Sequence, residues 1–326
     1  MGKSFFAGAD SFPNDFVGCD RGGSLLLPFL RKLSRTSGFF GAFLALLFLC
    51  PPTLAYSPKK LKIGLVPSEN SQELMRKAQP LVALMRAALG MEVEACAASD
   101  YTSVVEAMRA GKIDAAFFAP GGFVLAEKQA GARVILKSVR KGKSFFYSAI
   151  ITHRDSEINK LDDLKGKSFA FVDLASVSGA IYPKSLLLSE GINPERDFSR
   201  VIYAGGHDAT VLAVLHRRVD AAATFANDTS GHSGAWTDFL KKAEDQDQIR
   251  VIAYSDPAPS DNLCVSRDLD KKVVDRIRKF FLDLSKNPKG IQFLRELYHI
   301  DGYVEATSAD YEPVRKAFER VGVKIR

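Results

Sequence analysis

The chain has 326 residues, 46% hydrophobic and 25% charged, with a formal net charge of +7. That is an ordinary globular balance, with length for one large domain or two modest ones. The basic residues form no long run and no stripe interleaved with aromatics, which argues against nucleic acid as a partner.

At the N-terminus, RKLSR (31–35) precedes the apolar GFFGAFLALLFLC (38–50), and PPTLAYS follows. A basic stretch, a short apolar run and small residues at Thr53 and Ala55 read as a secretory signal cut after Ala55. The stretch ahead of RKLSR is long for the front of a signal, which fits a start codon downstream of Met1. The apolar run is short for a membrane span. Lipidation at Cys50 is an alternative that the bulky Leu49 disfavours; retention as an anchor is another. Residues 1–56 are therefore set apart from the fold. Beyond them stand Cys96 and Cys264. There is no CxxC and no Cys/His ligand spacing, so neither a metal nor another cofactor is expected. The default is two buried thiols, with one disulfide as the alternative.

From residue 61 the chain carries a pattern twice. LKIGLVPSEN (61–70) matches KSFAFVDLAS (167–176), both short apolar strands ending in a loop. A helix follows each: SQELMRKAQPLVALMRAALG in the first copy, SGAIYPKSLLLSEG in the second, with Gly90 and Gly191 at the stops. Next come the strand candidates MEVEACA and SRVIYA. TSVVEAMRAGKIDAAFF and ATVLAVLHRRVDAAAT close the copies, and Val105, Ala107, Asp114, Ala115 and Ala116 match Val211, Ala213, Asp220, Ala221 and Ala222. Each copy reads strand–helix–strand–helix–strand, which predicts a mostly parallel sheet flanked by helices. Two copies predict two α/β lobes. KGKSFFYSAIITHRD (141–155) and IRVIAYSDPAPSDNLCVS (249–266) read as crossings between them. The expected division is 57–147 for lobe 1, with 262–326 returning to it, and 148–261 for lobe 2.

Ligands of parallel sheets sit beyond the carboxyl ends of the strands, near helix N-termini. Tyr101 and His207 stand at matching points of the two copies, each just before a helix. Both are expected to face one cleft. DLASVSGAIYP (173–183) follows a strand and opens a helix, with Ser176, Ser178 and Gly179 at the start. Such an end exposes unpaired N–H groups and is an anion site. A plain N-cap is the alternative, and caps are common. Pro183 inside the same helix has no account at this level.

SDYTSVVEAMRAGKIDAAFFAPGGFVLA, DLKGKSFAFVDLASVSGAIYP, GGHDATVLAVLHRRVDAA and PSDNLCVSRDL occur in one order over most of residues 60–325. In this the chain resembles the phosphate/phosphite/phosphonate-binding proteins of ABC transporters, which are type II periplasmic binding proteins. The resemblance implies a two-lobed clamshell and an exported, periplasmic protein. It also implies a small oxyanion as ligand and a membrane permease as partner. The family's Ser-Thr-Ser-Gly anion loop falls on Ser176-Val177-Ser178-Gly179, its pocket His on His207, and the Tyr of its Asp-Tyr pair on Tyr101. A carboxylate of the second crossing falls on Asp261. Three positions depart. Val177 replaces Thr. Phe146 stands where members binding aminoalkyl phosphonates have a Tyr. Asn227 stands where an amine-binding Glu would fall. These departures argue against a tight aminoethylphosphonate site.

Ser178, His207 and Asp261 could be read as a hydrolase triad, but no G-x-S-x-G elbow surrounds the serine. His153, His216, His232 and His299 have no i,i+4 partner ligand. VRKAFERVGVK reads as an amphipathic packing helix. The expectation is a monomeric solute-binding protein of an ABC importer without catalysis. The alternative is the same domain reporting ligand state to a membrane receptor.

Overall fold

The computed structural model describes residues 55–67 and 70–323. The expected signal and Cys50 lie outside the described residues. Tyr56 is already engaged in the fold: its N–H donates to Asp268 O at 2.8 Å, and its hydroxyl donates to Asp114.

Six strands build the first half of the chain: β1 (Lys60–Leu65), β2 (Glu92–Ala97), β3 (Ala115–Phe118), β4 (Arg133–Val139), β5 (Phe145–His153) and β6 (Ser168–Phe171). The rest are β7 (Arg200–Tyr203), β8 (Ala221–Ala226), β9 (Ile249–Tyr254), β10 (Ala258–Pro259), β11 (Asn262–Val265) and β12 (Gly302–Glu305). One sheet has the order β12-β4-β11-β3-β1-β2; the other has β10-β5-β8-β6-β7, with β9 on β5.

The repeat is visible in both. Strands β2-β1-β3 and β7-β6-β8 are parallel triplets with the first strand of each copy in the middle. Register repeats too, with Ile63 opposite Ala115 and Phe169 opposite Ala221. The matched aspartates explain themselves. Asp114 accepts from Lys62 N at 2.8 Å, and Asp220 accepts from Ser168 N at 2.7 Å. Each fastens the start of its copy's first strand.

The sheets are mixed, not mostly parallel as the sequence suggested. β11 lies antiparallel beside β3, and β5 antiparallel beside β8. A parallel neighbour requires a crossover connection, usually a helix. The strands emerging from the two crossings come without one and run the other way.

Helix Ser71–Leu89 follows its pattern. Asn70 caps it by accepting from Gln72 and Glu73 N–H, and Leu74, Ala78, Leu81, Val82, Met85 and Leu89 form the buried stripe. Gly90 stops it with φ 59°, left-handed backbone that glycine adopts without cost. At the far end Glu312–Arg320 buries Val314, Ala317 and Phe318, the packing face expected of it. Tyr101 and Phe118 share one apolar cluster with Phe146, Val177 and Trp236, which joins the two sheets. Cys264 is buried and free, so a Cys96–Cys264 bridge is not made. Among the described residues no helix is long and apolar enough to cross a membrane.

Candidate anion-binding site

Four helices begin around the cleft between the sheets: Tyr101–Arg109, Pro120–Ala130, His207–Leu215, and the helix that opens at Val177. Tyr101, Pro120, Val177 and His207 all line that cleft. Each start adds the partial positive charge of unpaired N–H groups, so the helices converge on a place suited to an anion.

The helix at Val177 begins with a π turn, Val177–Ile181, and continues as α over Tyr182–Ser189. Ser176 is its N-cap, with Oγ accepting from Gly179 N at 3.1 Å. The cap and the anion site are therefore not exclusive. The N–H groups of Val177 and Ser178 find no acceptor among the described residues, and neither does the Ser178 hydroxyl. All three residues from Ser176 to Ser178 line the cleft. Val177 thus keeps the backbone donor although its side chain brings no hydroxyl.

The π turn also accounts for Pro183. A proline there leaves nearby carbonyls without their helical donor. Gly179 O is taken by Val172 N at 3.0 Å, and Ser178 O by Ser148 Oγ at 2.6 Å. The proline falls in the first turn of the α segment, where no donor is required.

Tyr101 and His207 are the first helical residues after Asp100 and Gly206, and both are buried. The two copies do present one ring each to the same cleft. His207 Nδ1 lies 2.8 Å from Thr224 Oγ1. Burial, followed by the nearby positive charge of Arg140, pushes its pKa down to about 3. The imidazole is neutral near pH 7 and offers Nε2.

Arg140 was not among the residues singled out from the sequence. Its side chain is 12% exposed, and its guanidinium stands 3.9 Å from Asp261 Oδ2. Its Nε donates to His299 O at 2.9 Å, and the group lies over the Phe225 ring at 5.4 Å. The available signal was position: Arg140 sits where the chain leaves β4 for the first crossing, beside the cleft. Asp261 lines the cleft from the second crossing. Burial raises its pKa and Arg140 opposes the rise.

Phe146 also lines the cleft and is buried. Two of the residues read from the sequence do not reach the lining. Gly179 lies behind it, where an added Cβ would stand 2.4 Å from Val172. Asn227 turns away to give Nδ2 to Ser233 Oγ at 3.0 Å, because the chain after β8 folds back and bridges Ala226 to Gly234. The triad geometry is absent as well: the partner of His207 Nδ1 is Thr224, and the ionic neighbour of Asp261 is Arg140.

Residues 63–311 match a family model described as ABC transporter, phosphonate, periplasmic substrate-binding protein. The chain is 32% identical over 284 residues to the phosphate-import protein PhnD of Mycolicibacterium smegmatis, covering 81% of this chain and 87% of that one. It is 28% identical over 271 residues to the phosphonates-binding periplasmic protein of Escherichia coli, covering 82% and 78%. Its fold matches PhnD1 of Prochlorococcus marinus, solved in complex with methylphosphonate, with a TM-score of 0.72 at 20% identity over 82% of this chain and 100% of that one. The chain therefore belongs to the periplasmic substrate-binding proteins of phosphonate ABC transporters.

Proposed function

We propose that this protein captures a phosphate-like oxyanion (a phosphonate, phosphite or phosphate) between its two lobes and offers it to an ABC membrane permease. The observation that carries this reading is the pair of unpaired N–H groups at Val177 and Ser178, opening into a cleft that Tyr101 and His207 share. In the liganded protein those N–H groups and the hydroxyls of Ser176 and Ser178 donate to the anion. Tyr101 and neutral His207 complete its shell. The lobes are 57–147 with 262–326, and 148–261; they close on the ligand about the two crossings.

No chemistry is performed on the ligand. Thr224 beside His207 and Arg140 beside Asp261 support binding over hydrolysis. The protein acts as a monomer, is exported through its N-terminal segment, and begins at Tyr56 after cleavage. The bonds that Tyr56 makes to Asp268 and Asp114 suit a mature chain starting there. Intact-mass analysis of secreted protein checks the cut; a chain beginning at a lipidated Cys50 overturns it.

The site is tested by calorimetry on residues 56–326 with phosphate, phosphite and methylphosphonate. One of them is expected to bind at one anion per chain. A hydrogen bond to a charged group contributes about 1.5–3 kcal/mol, so Ser178→Ala is expected to weaken binding roughly ten- to a hundred-fold. A Ser178→Ala variant that binds every anion like the parent places the site elsewhere.

A further inference from the structure

The cleft wall contains one pair of opposite charges. Arg140 stands where β4 gives way to the first crossing, and Asp261 stands in the second. The crossings run side by side there, since Ser138 N donates to Asp261 O at 2.8 Å. Among the described residues of the lining there is no other Asp, Glu, Lys or Arg. The Arg140 side chain is 12% exposed and the Asp261 side chain 41%, so the carboxylate is the more open of the two to the cleft. Their separation of 3.9 Å is an ionic contact, longer than a hydrogen bond.

Arg140 does not owe its position to Asp261. Its backbone N–H donates to Lys143 O at 2.8 Å, and its Nε donates to His299 O at 2.9 Å. The guanidinium lies over the Phe225 ring at 5.4 Å, and His207 packs against the same ring with centroids 5.0 Å apart. A fixed positive charge therefore stands one ring away from the anion site.

That charge decides what Asp261 can do. Alone, a carboxylate in a cleft attracts the ammonium group of a ligand. With Arg140 beside it, an incoming ammonium is drawn by one charge and repelled by the other over similar distances. What remains is the cost of taking the ammonium out of water. An uncharged substituent carries no such cost, and Phe146, Phe225 and Phe239 in the same lining offer it apolar contact.

Resting on the oxyanion reading above, we infer that Arg140 is a specificity-determining residue: by neutralising Asp261 within the cleft, it turns away oxyanions that carry an ammonium tail in favour of those with an uncharged one.

The experiment is calorimetry on residues 56–326 with n-propylphosphonate and 2-aminoethylphosphonate. The two have the same shape and the same head, so the ratio of their affinities isolates the charge of the tail. The parent is expected to prefer the propyl ligand by about ten-fold. Arg140→Met keeps the apolar stem and removes the charge, and it is expected to level or reverse that preference. Arg140→Lys restores the charge and should restore the preference, because the contact with Asp261 is ionic. Adding Asp261→Asn to Arg140→Met should remove the gain in aminoethyl binding. Asp261→Asn alone tests the pair from the other side without disturbing the contacts of Arg140 to His299 and Phe225. It leaves Arg140 uncompensated, and phosphonoacetate should gain about ten-fold on the propyl ligand. Thermal melting checks that each variant folds; if Arg140→Met does not, the phosphonoacetate result decides. A preference for the propyl ligand undiminished in folded Arg140→Met overturns the inference and leaves the oxyanion site standing. So does a parent that binds the aminoethyl ligand as well as the propyl one, or no gain for phosphonoacetate in Asp261→Asn. If no phosphonate binds the parent, the oxyanion reading falls and the inference with it.

Discussion

The ring of His207 is neutral because the protein around it displaces water, and this has a consequence for stability. An unfolded histidine takes its proton near pH 6.5, whereas His207 in the folded chain takes it only near pH 3. Between those values the unfolded state binds more protons, so stability falls as the pH is lowered through that window. At pH 4.5 the loss from this one ring is about 2–3 kcal/mol. His207→Gln is expected to lose less stability than the parent between pH 7 and pH 4.5, by roughly that amount. Urea melts at the two pH values measure it. Equal acid sensitivity in the two proteins would show that His207 is protonated well above pH 3.

At the scale of elements, Asp114 and Asp220 show why two stretches of one chain keep the same pattern. Each carboxylate holds the N–H at the start of a first strand, on Lys62 and Ser168. Asp114 is buried and also accepts from the Tyr56 hydroxyl. Asp114→Ala is expected to lower unfolding stability by roughly 1.5–3 kcal/mol, since it strands a part-buried backbone donor and the Tyr56 hydroxyl. Anion affinity should stay within about two-fold, because Asp114 is not part of the cleft lining. Denaturant melts and calorimetry on the variant check both halves. These aspartates and the helix starts at Tyr101 and His207 were legible because the repeat puts one task in matching places; the serine-bearing helix start at Val177 was legible from its own local pattern. What lay outside the repeat was not legible. Strands β4 and β12 have no second copy to reveal them, and Arg140 reaches the cleft because β4 pairs with β11, a strand far along the chain. Asn227 was expected at the cleft because the family resemblance sets it where an amine-binding Glu falls. In the fold the backbone bridge from Ala226 to Gly234 brings Ser233 beside it, and the Asn227 amide turns onto that hydroxyl. A side chain's direction after a strand depends on where the next segment packs, and no local pattern encodes that.

For the molecule as a whole, the halves come into close contact at Gly121. A Cβ there would stand 2.1 Å from the carbonyl oxygen of Ala175, a backbone atom across the cleft. Gly121→Ala should therefore fold yet fail to reach this arrangement, because the hinge motion proposed above would let the halves separate and give the methyl group room. Small-angle scattering is expected to show the parent shrinking on binding its anion and the variant staying expanded, with affinity at least ten-fold lower. A variant that contracts and binds like the parent would show that the contact is not required for closure. The mixed sheets bear on the order in which the protein is made. The β5–β10 sheet comes from one unbroken stretch, whereas β3 must wait for β11, which follows all of it. Contacts closing short loops form sooner than those closing long ones. The second sheet should therefore be the first cooperative unit, assembling as an insert while the flanking segments are still unfolded. Pulse-labelled hydrogen exchange during refolding should find amides of β6 and β8 protected ahead of those of β3 and β11. Tyr101 and His207 open helices that belong to different sheets, so anion binding is expected to appear only after both sheets have formed.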